Sequence, residues 1–589
     1  MAIKHKKTLK QRVIPKEPEK LKDKVNSSLL ENSLAIVNDK YTEGIEEIKI
    51  DTARNVKLYK YESKNFCSEG KYLYMKALES GNINIGRLVW PKENLLNIDD
   101  GNEKILLEFR TVRKIEQELL NRSDCLDERN LMKLQNKGAD IVKSNRKYVV
   151  ECIRECEEYI PRRYIHSKLG FMNYEGNTIY KLNEAIGLNS TYVGVSEIKP
   201  KGSHDEYIKM IKKYVIGNVE LEFALISGLS AILLGYIGEE LGLDSIIIHL
   251  VGNSTTGKST ALKLAISCFG YPEVKNNGLY GTYNGTNNAL IKKLGGLKGV
   301  PYAFDEISMS DMNNFTKFIY SLANGADKER LNKDSELMEK ESWLTTILSN
   351  GEKSITRSSN KNAGVQVRVI EAENFIWTKS SQHADSINHV IINNYGHLAI
   401  EFAEYLLNQN KNELIRNHKQ EKLNLYDELL KMNIYDDMSM RRCSKFAILI
   451  QTAFMLEEIL DIELDIEGMV GMIVNIEKES LKCRNFKESV IDFIKEYVER
   501  YRNKFEGNSK TSSQEVLGTI TEKGEYTEVQ MDQLSFELMI KEGGYEDKKV
   551  VLKELKKAGV LDCEKDRLTR SRNNSVGVKT DFIVIKLFK

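Results

Sequence analysis

The stretch Gly252-Asn253-Ser254-Thr255-Thr256-Gly257-Lys258-Ser259 constrains the fold more than any other part of the chain. It satisfies G-x-x-x-x-G-K-[ST] at every fixed position. It follows the apolar run SIIIHLV at 245–251 and precedes the helix-forming TALKLA at 260–265. Strand, glycine loop and helix in that order form a phosphate cradle, because glycines let backbone N–H groups curl around an anion and the helix N-terminus adds its dipole. Lys258 is expected to reach the outer phosphates of ATP and Ser259 to ligate Mg²⁺. Gly252, Asn253, Ser254, Thr255, Thr256, Gly257 and Thr260 complete the expected nucleotide contacts. Such a loop belongs to a parallel sheet with crossover helices, and residues 205–375 alternate short apolar strands with helices as that sheet requires.

The remaining parts of a hydrolytic site are legible downstream. Val300-Pro301-Tyr302-Ala303-Phe304 is an apolar strand ending in Asp305-Glu306. Ligands of open α/β sheets bind at carboxyl ends of strands, so Asp305 is expected to hold Mg²⁺ through water and Glu306 to polarise the attacking water. Trp343-Leu344-Thr345-Thr346-Ile347-Leu348-Ser349-Asn350 is a second such strand, and Asn350 is the candidate sensor of the γ-phosphate. Arg368, in the strand-like run 365–371, leads as an arginine acting across a subunit interface, with Arg357 next. Arg441 or Arg442, opening a later helix, is the candidate second sensor, although a solvated basic helix start accounts for either.

Two regions read as nucleic-acid surfaces. Between the catalytic strands, 324–335 holds Asn332-Lys333-Asp334 at a hairpin tip, with Lys328 and Arg330 beside it. A solvated turn fits the same residues. Near the end, DKKVVLKELKKA at 547–558 is an amphipathic helix with Val551, Leu552 and Leu555 inward. Strands are expected at 563–569 and 581–587, around the acid-free RLTRSRNNSVGVK. That pattern is a winged helix with a basic wing, and Arg567, Arg570 and Arg572 are its expected DNA contacts.

Length and composition bound the rest. A chain of 589 residues exceeds one core, and 41% hydrophobic with 29% charged residues excludes general disorder. Lys and Arg total 87 against 86 acids, which excludes a static coat held on nucleic acid by bulk charge. The basic residues of 1–24 form a local exception. The eight cysteines form no CxxC pair, and Cys152 and Cys156, at i,i+4, read as packed thiols rather than zinc ligands. The uncharged stretch 223–238 is too short to span a bilayer and is expected to be a buried helix. With no apolar leader, a cytoplasmic protein is expected. The chain divides into a basic tail (1–50), an α+β accessory domain (51–204), an ATPase domain with a helical lid (205–480), and a helical linker with a winged helix (481–589). Within 51–204 the pattern predicts strands at 71–78 and 83–90, a helix over 128–158, and a hairpin of 165–174 with 178–182.

Gly252–Ser259, Phe304-Asp305-Glu306, Asn324–Arg330, WLTTILSNGE at 343–352 and Val367-Arg368-Val369-Ile370 together resemble the DUF927 family of AAA+ ATPases. Within it they are most similar to the MCM-like replicative helicases of staphylococcal cassette chromosome and pathogenicity-island elements. The resemblance runs from about 55 to 455, and the W-x-x-x-x-L-S-x-G-E signature with the hairpin is its specific part. It implies an α/β AAA+ P-loop ATPase core with an α+β N-terminal domain and a C-terminal winged helix. It further implies a homo-hexameric DNA helicase with ATP between subunits, Arg368 as arginine finger and Lys333 as pore loop on single-stranded DNA. Duplex DNA would lie at the winged helix, and primase, polymerase or origin-binding partners are expected. The chain lacks the cysteine spacing of the zinc module found in MCM proteins. Two rival readings remain: a DNA-binding initiator that uses ATP as a switch, and a protein-remodelling ATPase.

Overall fold

The computed structural model describes residues 61–77, 81–274, 278–309, 315–327, 340–357, 363–484, 486–506, 516–545, 547–573 and 578–588. The chain forms two compact units, Met1–Ser167 with Glu184–Gly194, and Lys168–Asn183 with Val195–Lys589.

In the first unit, Val89–Asn97, Glu103–Arg110 and Ile115–Asn121 pair antiparallel. Arg162–His166 and then Ser190–Tyr192 add parallel strands at one edge. A second sheet joins Phe66–Glu69, Tyr72–Met75 and Ile83–Arg87. The single helix expected over 128–158 is broken. Glu128–Leu131 and the 3₁₀ turn Met132–Lys137 end at Gly138, whose φ of 90° stops a right-handed helix, and Arg146–Cys156 starts afresh. Cys152 and Cys156 are buried in the core with Ile105, Leu107 and Phe109.

The hairpin Gly170–Tyr174 and Asn177–Lys181, turning at Glu175-Gly176, belongs to the second unit. Its Phe171 N–H donates to the Lys298 carbonyl (2.8 Å), and the Tyr180 hydroxyl donates to the Gly299 carbonyl (2.8 Å).

The centre of the second unit is a parallel sheet. Its elements in chain order are α1 (Val219–Ile237), β1 (Ile246–Val251), α2 (Lys258–Ser267), β2 (Tyr280–Thr282), β3 (Tyr302–Asp305), α3 (Thr316–Asn324), β4 (Thr346–Gly351), α4 (Ala363–Arg368), β5 (Val369–Glu373), α5 (Ser381–Ile391), α6 (Leu398–Leu407), α7 (Lys411–Lys431), α8 (Ser439–Leu460) and α9 (Ile466–Arg484). The strand order is β2-β3-β4-β1-β5, all parallel. β1 is an interior strand, between β4 and β5, and is buried along its whole length, as an uninterrupted Ile-rich strand must be when helices cover both faces. α1 is long and apolar enough to cross a membrane, yet 89% of its apolar window is buried inside the fold. It is apolar all round because it packs on several sides, against α2, α6, α8 and β4. Asn218 caps it, accepting from the Leu221 N–H.

The C-terminal region continues with α10 (Phe486–Arg500), β6 (Gly518–Glu522), β7 (Tyr526–Met531), α11 (Gln533–Glu542), α12 (Lys548–Lys557), β8 (Leu561–Asp562), β9 (Arg570–Asn573) and β10 (Lys579–Phe588). α10, α11 and α12 share one core with the β6-β7-β10-β8 sheet, and Val551, Leu552 and Leu555 are buried in it as expected. Among the described residues β9 pairs with β10 alone, forming the two strands of the wing. The strand expected at 563–569 is instead a turn, closed by the Glu564 N–H to the Thr569 carbonyl and the Arg567 N–H to the Glu564 carbonyl.

Candidate functional site: the glycine loop and its surroundings

The loop leaves β1 at Gly252 and becomes α2 at Lys258. Thr255 and Gly257 lie in the left-handed region, with φ of 75° and 86°. These reversals curl the backbone into the cup that such sequences build. Gly257 also admits no side chain, because a Cβ there would lie 2.9 Å from the Thr378 amide nitrogen. The Trp377 N–H donates to the Thr256 carbonyl (2.8 Å) and fixes the loop from below.

Lys258 bends across the loop and donates to the carbonyls of Gly252 (2.8 Å) and Asn253 (2.7 Å). Burial depresses its pKa, while the carboxylates of Glu306, Glu352 and Asp305 pull it the other way. Those acids arrive from the neighbouring strands. β3 ends at Asp305 beside Ser259, whose hydroxyl donates to Asp305 Oδ1 (3.2 Å). Asn350 is in β4, which lies between β1 and β3, and its Nδ2 reaches both Asp305 Oδ1 (2.7 Å) and Ser259 Oγ (3.1 Å). Its Oδ1 accepts from the Glu306 N–H (2.7 Å). Glu306 carries a positive φ of 53°, a strained setting for a glutamate, held here by Asn350.

Several contacts are not legible in the sequence. Ser254 donates to Glu352 Oε1 (2.5 Å), joining the tip of the loop to the turn after β4. His249, buried in the middle of β1, has Nε2 2.9 Å from the Lys353 carbonyl and Nδ1 2.8 Å from Ser349 Oγ. A carbonyl only accepts, so Nε2 carries the proton and Nδ1 accepts from Ser349. Ser349 in turn accepts from the Tyr283 hydroxyl (2.7 Å). Burial lowers the His249 pKa and favours this neutral tautomer, against the pull of Glu371. The chain of bonds ties β1 to β4 and to the segment after β2, one residue from Asn350. A lone histidine inside SIIIHLV was the available signal.

Other expected residues are placed elsewhere. The Thr260 hydroxyl accepts from Asn388 of α5 (3.2 Å). Arg368 does not lie on a strand: Ala363–Arg368 is helical, and β5 begins only at Val369. The alternation of Val365, Val367 and Val369 imitates a strand because tertiary packing buries those residues from either conformation. Arg368 stacks over the Tyr320 ring (4.3 Å to the centroid) and donates to the Gly364 carbonyl (2.9 Å). Arg357 pairs with Glu373.

Arg442 corrects the second-sensor expectation. Its side chain is fully buried. Nε meets Glu477 Oε2 at 2.6 Å, and Nη1 donates to the carbonyls of Gln366 (2.5 Å) and Val369 (2.8 Å). Val369 begins β5, so Arg442 lies at the end of the sheet opposite the glycine loop, while Arg441 is exposed. Lys445, one turn on, donates to the carbonyls of Ser245 and Arg368 (both 3.4 Å). Burial pushes its pKa from 10.5 down to about 7, with Arg442, Arg368 and Arg441 adding to the drop and Asp244 opposing it. Between those two values the unfolded chain holds more protons than the folded one, so stability should rise with pH. Thermal unfolding followed from pH 7 to 10 should show that rise in the wild type and a flatter curve in Lys445→Met.

The wing also differs from expectation. Arg572 turns inward and makes paired contacts with Glu528 (2.8 and 3.1 Å) and a further one with Asp562 (3.3 Å), so it is not offered to DNA. The acids missing from the wing sequence come from β7 and β8. Arg570 lies 3.5 Å from Asp562 and Arg567 3.8 Å from Asp581, both with much of the side chain in solvent. Lys549 and Lys553 are exposed one turn apart on α12. Lys328, Arg330 and Lys333 lie outside the described residues, as does the 1–24 tail. The base of the segment that holds these three is described. Ala326 bridges Ser342 antiparallel, the Trp343 N–H donates to the Gly325 carbonyl (2.8 Å), and the Trp343 indole donates to the Leu322 carbonyl (2.9 Å).

An interior parallel strand, a glycine-rich loop at its carboxyl end, and acid and amide groups brought beside that loop by the two next strands define the class: a protein with an α/β core built on a parallel sheet. Comparison with known families then gives a more particular likeness. Residues 89–342 match the model of DUF927, a domain of unknown function, and residues 486–588 match the Cch helix turn helix domain. A solved structure described as "SCCmec type IV Cch - active helicase" is similar to it, with a TM-score of 0.72 and 24% identity, covering 90% of this chain and 98% of that one. No curated protein matches the chain.

Proposed function

We propose that this chain is an ATP-dependent DNA helicase of a mobile genetic element, an AAA+ motor that works as a homo-hexamer in the cytoplasm. One observation carries the ATPase part: Lys258, Ser259, Asp305, Glu306 and Asn350 converge at the carboxyl end of one parallel sheet. Lys258 would leave the loop carbonyls for the β- and γ-phosphates. Ser259 and Asp305 form an all-oxygen donor pair, which suits a hard cation such as Mg²⁺. The bound ion supplies neutralisation of charge on the phosphate oxygens. Glu306 would accept the proton of the attacking water, and Asn350 would keep the two acids and Ser259 in register. Arg368 would act on the nucleotide of a neighbouring subunit.

The helicase part is supported by the likeness to a solved helicase over nearly the whole chain and by the helix-turn-helix match. Duplex DNA would meet Lys549 and Lys553 of α12 with Arg567 and Arg570 of the wing. Lys333, with Lys328 and Arg330, would touch the single strand in the pore. Primase, polymerase or origin-binding proteins of the element are the proposed partners. A forked duplex incubated with the protein and ATP should separate, and should stay paired with a non-hydrolysable analogue. Tight DNA binding without strand separation in ATP would sink the motor and favour an ATP-switched initiator.

A further inference from the structure

Tyr280 has no part in anything described so far. It opens β2, is 2% exposed, and its hydroxyl makes no well-formed hydrogen bond, although Asp305 and Ser259 are near enough to interact with it. Shutting a phenol hydroxyl away from water without a partner is costly, and a phenylalanine would avoid that cost at the same volume. The backbone shows where the hydroxyl is aimed. β2 runs parallel to β3 with Tyr280 opposite Ala303 and Thr282 opposite Asp305. Side chains alternate along a strand, so Tyr280 and Asp305 share one face of the sheet. The Asp305 carboxylate and the Ser259 hydroxyl stand beside the phenol.

We propose that Tyr280 is a positioning residue for the metal–nucleotide complex, its hydroxyl donating a hydrogen bond into the Ser259–Asp305 pair once that pair holds a hydrated divalent cation. The inference rests on reading Ser259 and Asp305 as the Mg²⁺ site. It explains why a tyrosine fills a position where its polar atom is otherwise idle. A second donor beside Asp305 would fix the carboxylate that Asn350 already holds from the other side.

Tyr280→Phe tests it in the full chain, with binding of a fluorescent ATP analogue measured across a Mg²⁺ titration and in EDTA. The variant should melt at the wild-type temperature or slightly above, since the hydroxyl has no bond to lose. Its nucleotide affinity in EDTA should equal that of the wild type. The Mg²⁺ concentration for half-maximal binding should rise about five- to tenfold, the size of one lost hydrogen bond. An unchanged Mg²⁺ titration would overturn the proposal. So would a clear fall in melting temperature, or an equal loss with and without Mg²⁺, because both mark a packing role. If wild-type binding itself ignores Mg²⁺, the Ser259–Asp305 reading fails and takes Tyr280 with it, an outcome visible before any variant is made.

Discussion

Glu306→Gln should bind ATP as tightly as the wild type and hydrolyse it at least about a hundredfold more slowly, the usual contribution of a positioned general base. The structure sharpens the reason. The Glu306 N–H is bonded to Asn350, and its backbone sits at a positive φ that glutamine tolerates as well as glutamate does. The substitution therefore removes the basic oxygen without moving the main chain. Single-turnover hydrolysis measured beside equilibrium ATP binding checks it. Normal turnover would exclude Glu306 as the base, and weakened binding would show that its charge holds the loop through Lys258 rather than acting on water.

Glu477→Ala should cost about 3–5 kcal/mol of stability, the effect of stranding buried charge. Glu477 is fully buried and is shared by two buried arginines, Arg442 at 2.6 Å and Arg484 at 2.5 Å, and it also accepts from Ser439 at 3.1 Å. Asp436 meets Arg484 at 2.8 Å and completes the cluster. Removing the central carboxylate leaves Arg442 with no anionic partner among the groups it touches. Burial alone would raise the Glu477 pKa, but Arg442 and Arg484 outweigh it and hold it below the ordinary value of 4.5. A depressed folded-state pKa means that the carboxylate's contribution is complete above 4.5 and is lost as acid drives pH through the lower folded value. Urea unfolding of the two proteins should therefore differ most at neutral pH and converge in acid. Equal midpoints at pH 7 would show that the cluster is solvated.

The order of elements and the placement of Asp305, Glu306 and Asn350 beside the glycine loop were legible in the sequence because they rest on local rules. A buried parallel strand must be apolar, the loop after it must hold glycine where φ is positive, and acids at a strand's carboxyl end must face that loop. Asp305, Glu306 and Asn350 obey those rules. The arginines do not, because their roles depend on partners far away in the chain. Arg442 and Arg572 were read as free cations since no acid lies within one helical turn of either in sequence. Their partners, Glu477, Glu528 and Asp562, arrive through tertiary folding. Arg368 was placed on a strand for a related reason: three valines spaced by two suit a strand, but Val365 and Val367 are buried on a short helix and only Val369 opens the strand. The helix over 128–158 failed at Gly138, a residue whose weight depends on whether tertiary contacts compensate it.

The cluster around Arg442 also has a mechanical meaning. Arg442 grips the carbonyls of Gln366 and Val369, and Lys445 holds that of Arg368. Both cations belong to α8, so the short helix bearing Arg368 is fastened at its C-terminal end to a helix of 22 residues. Pulling them apart would strip buried cations of their carbonyl acceptors. Val369 opens β5 and Ser245 immediately precedes β1, so the same two cations also fasten α8 to that end of the sheet, and the Arg368 guanidinium projects from a base held on both sides.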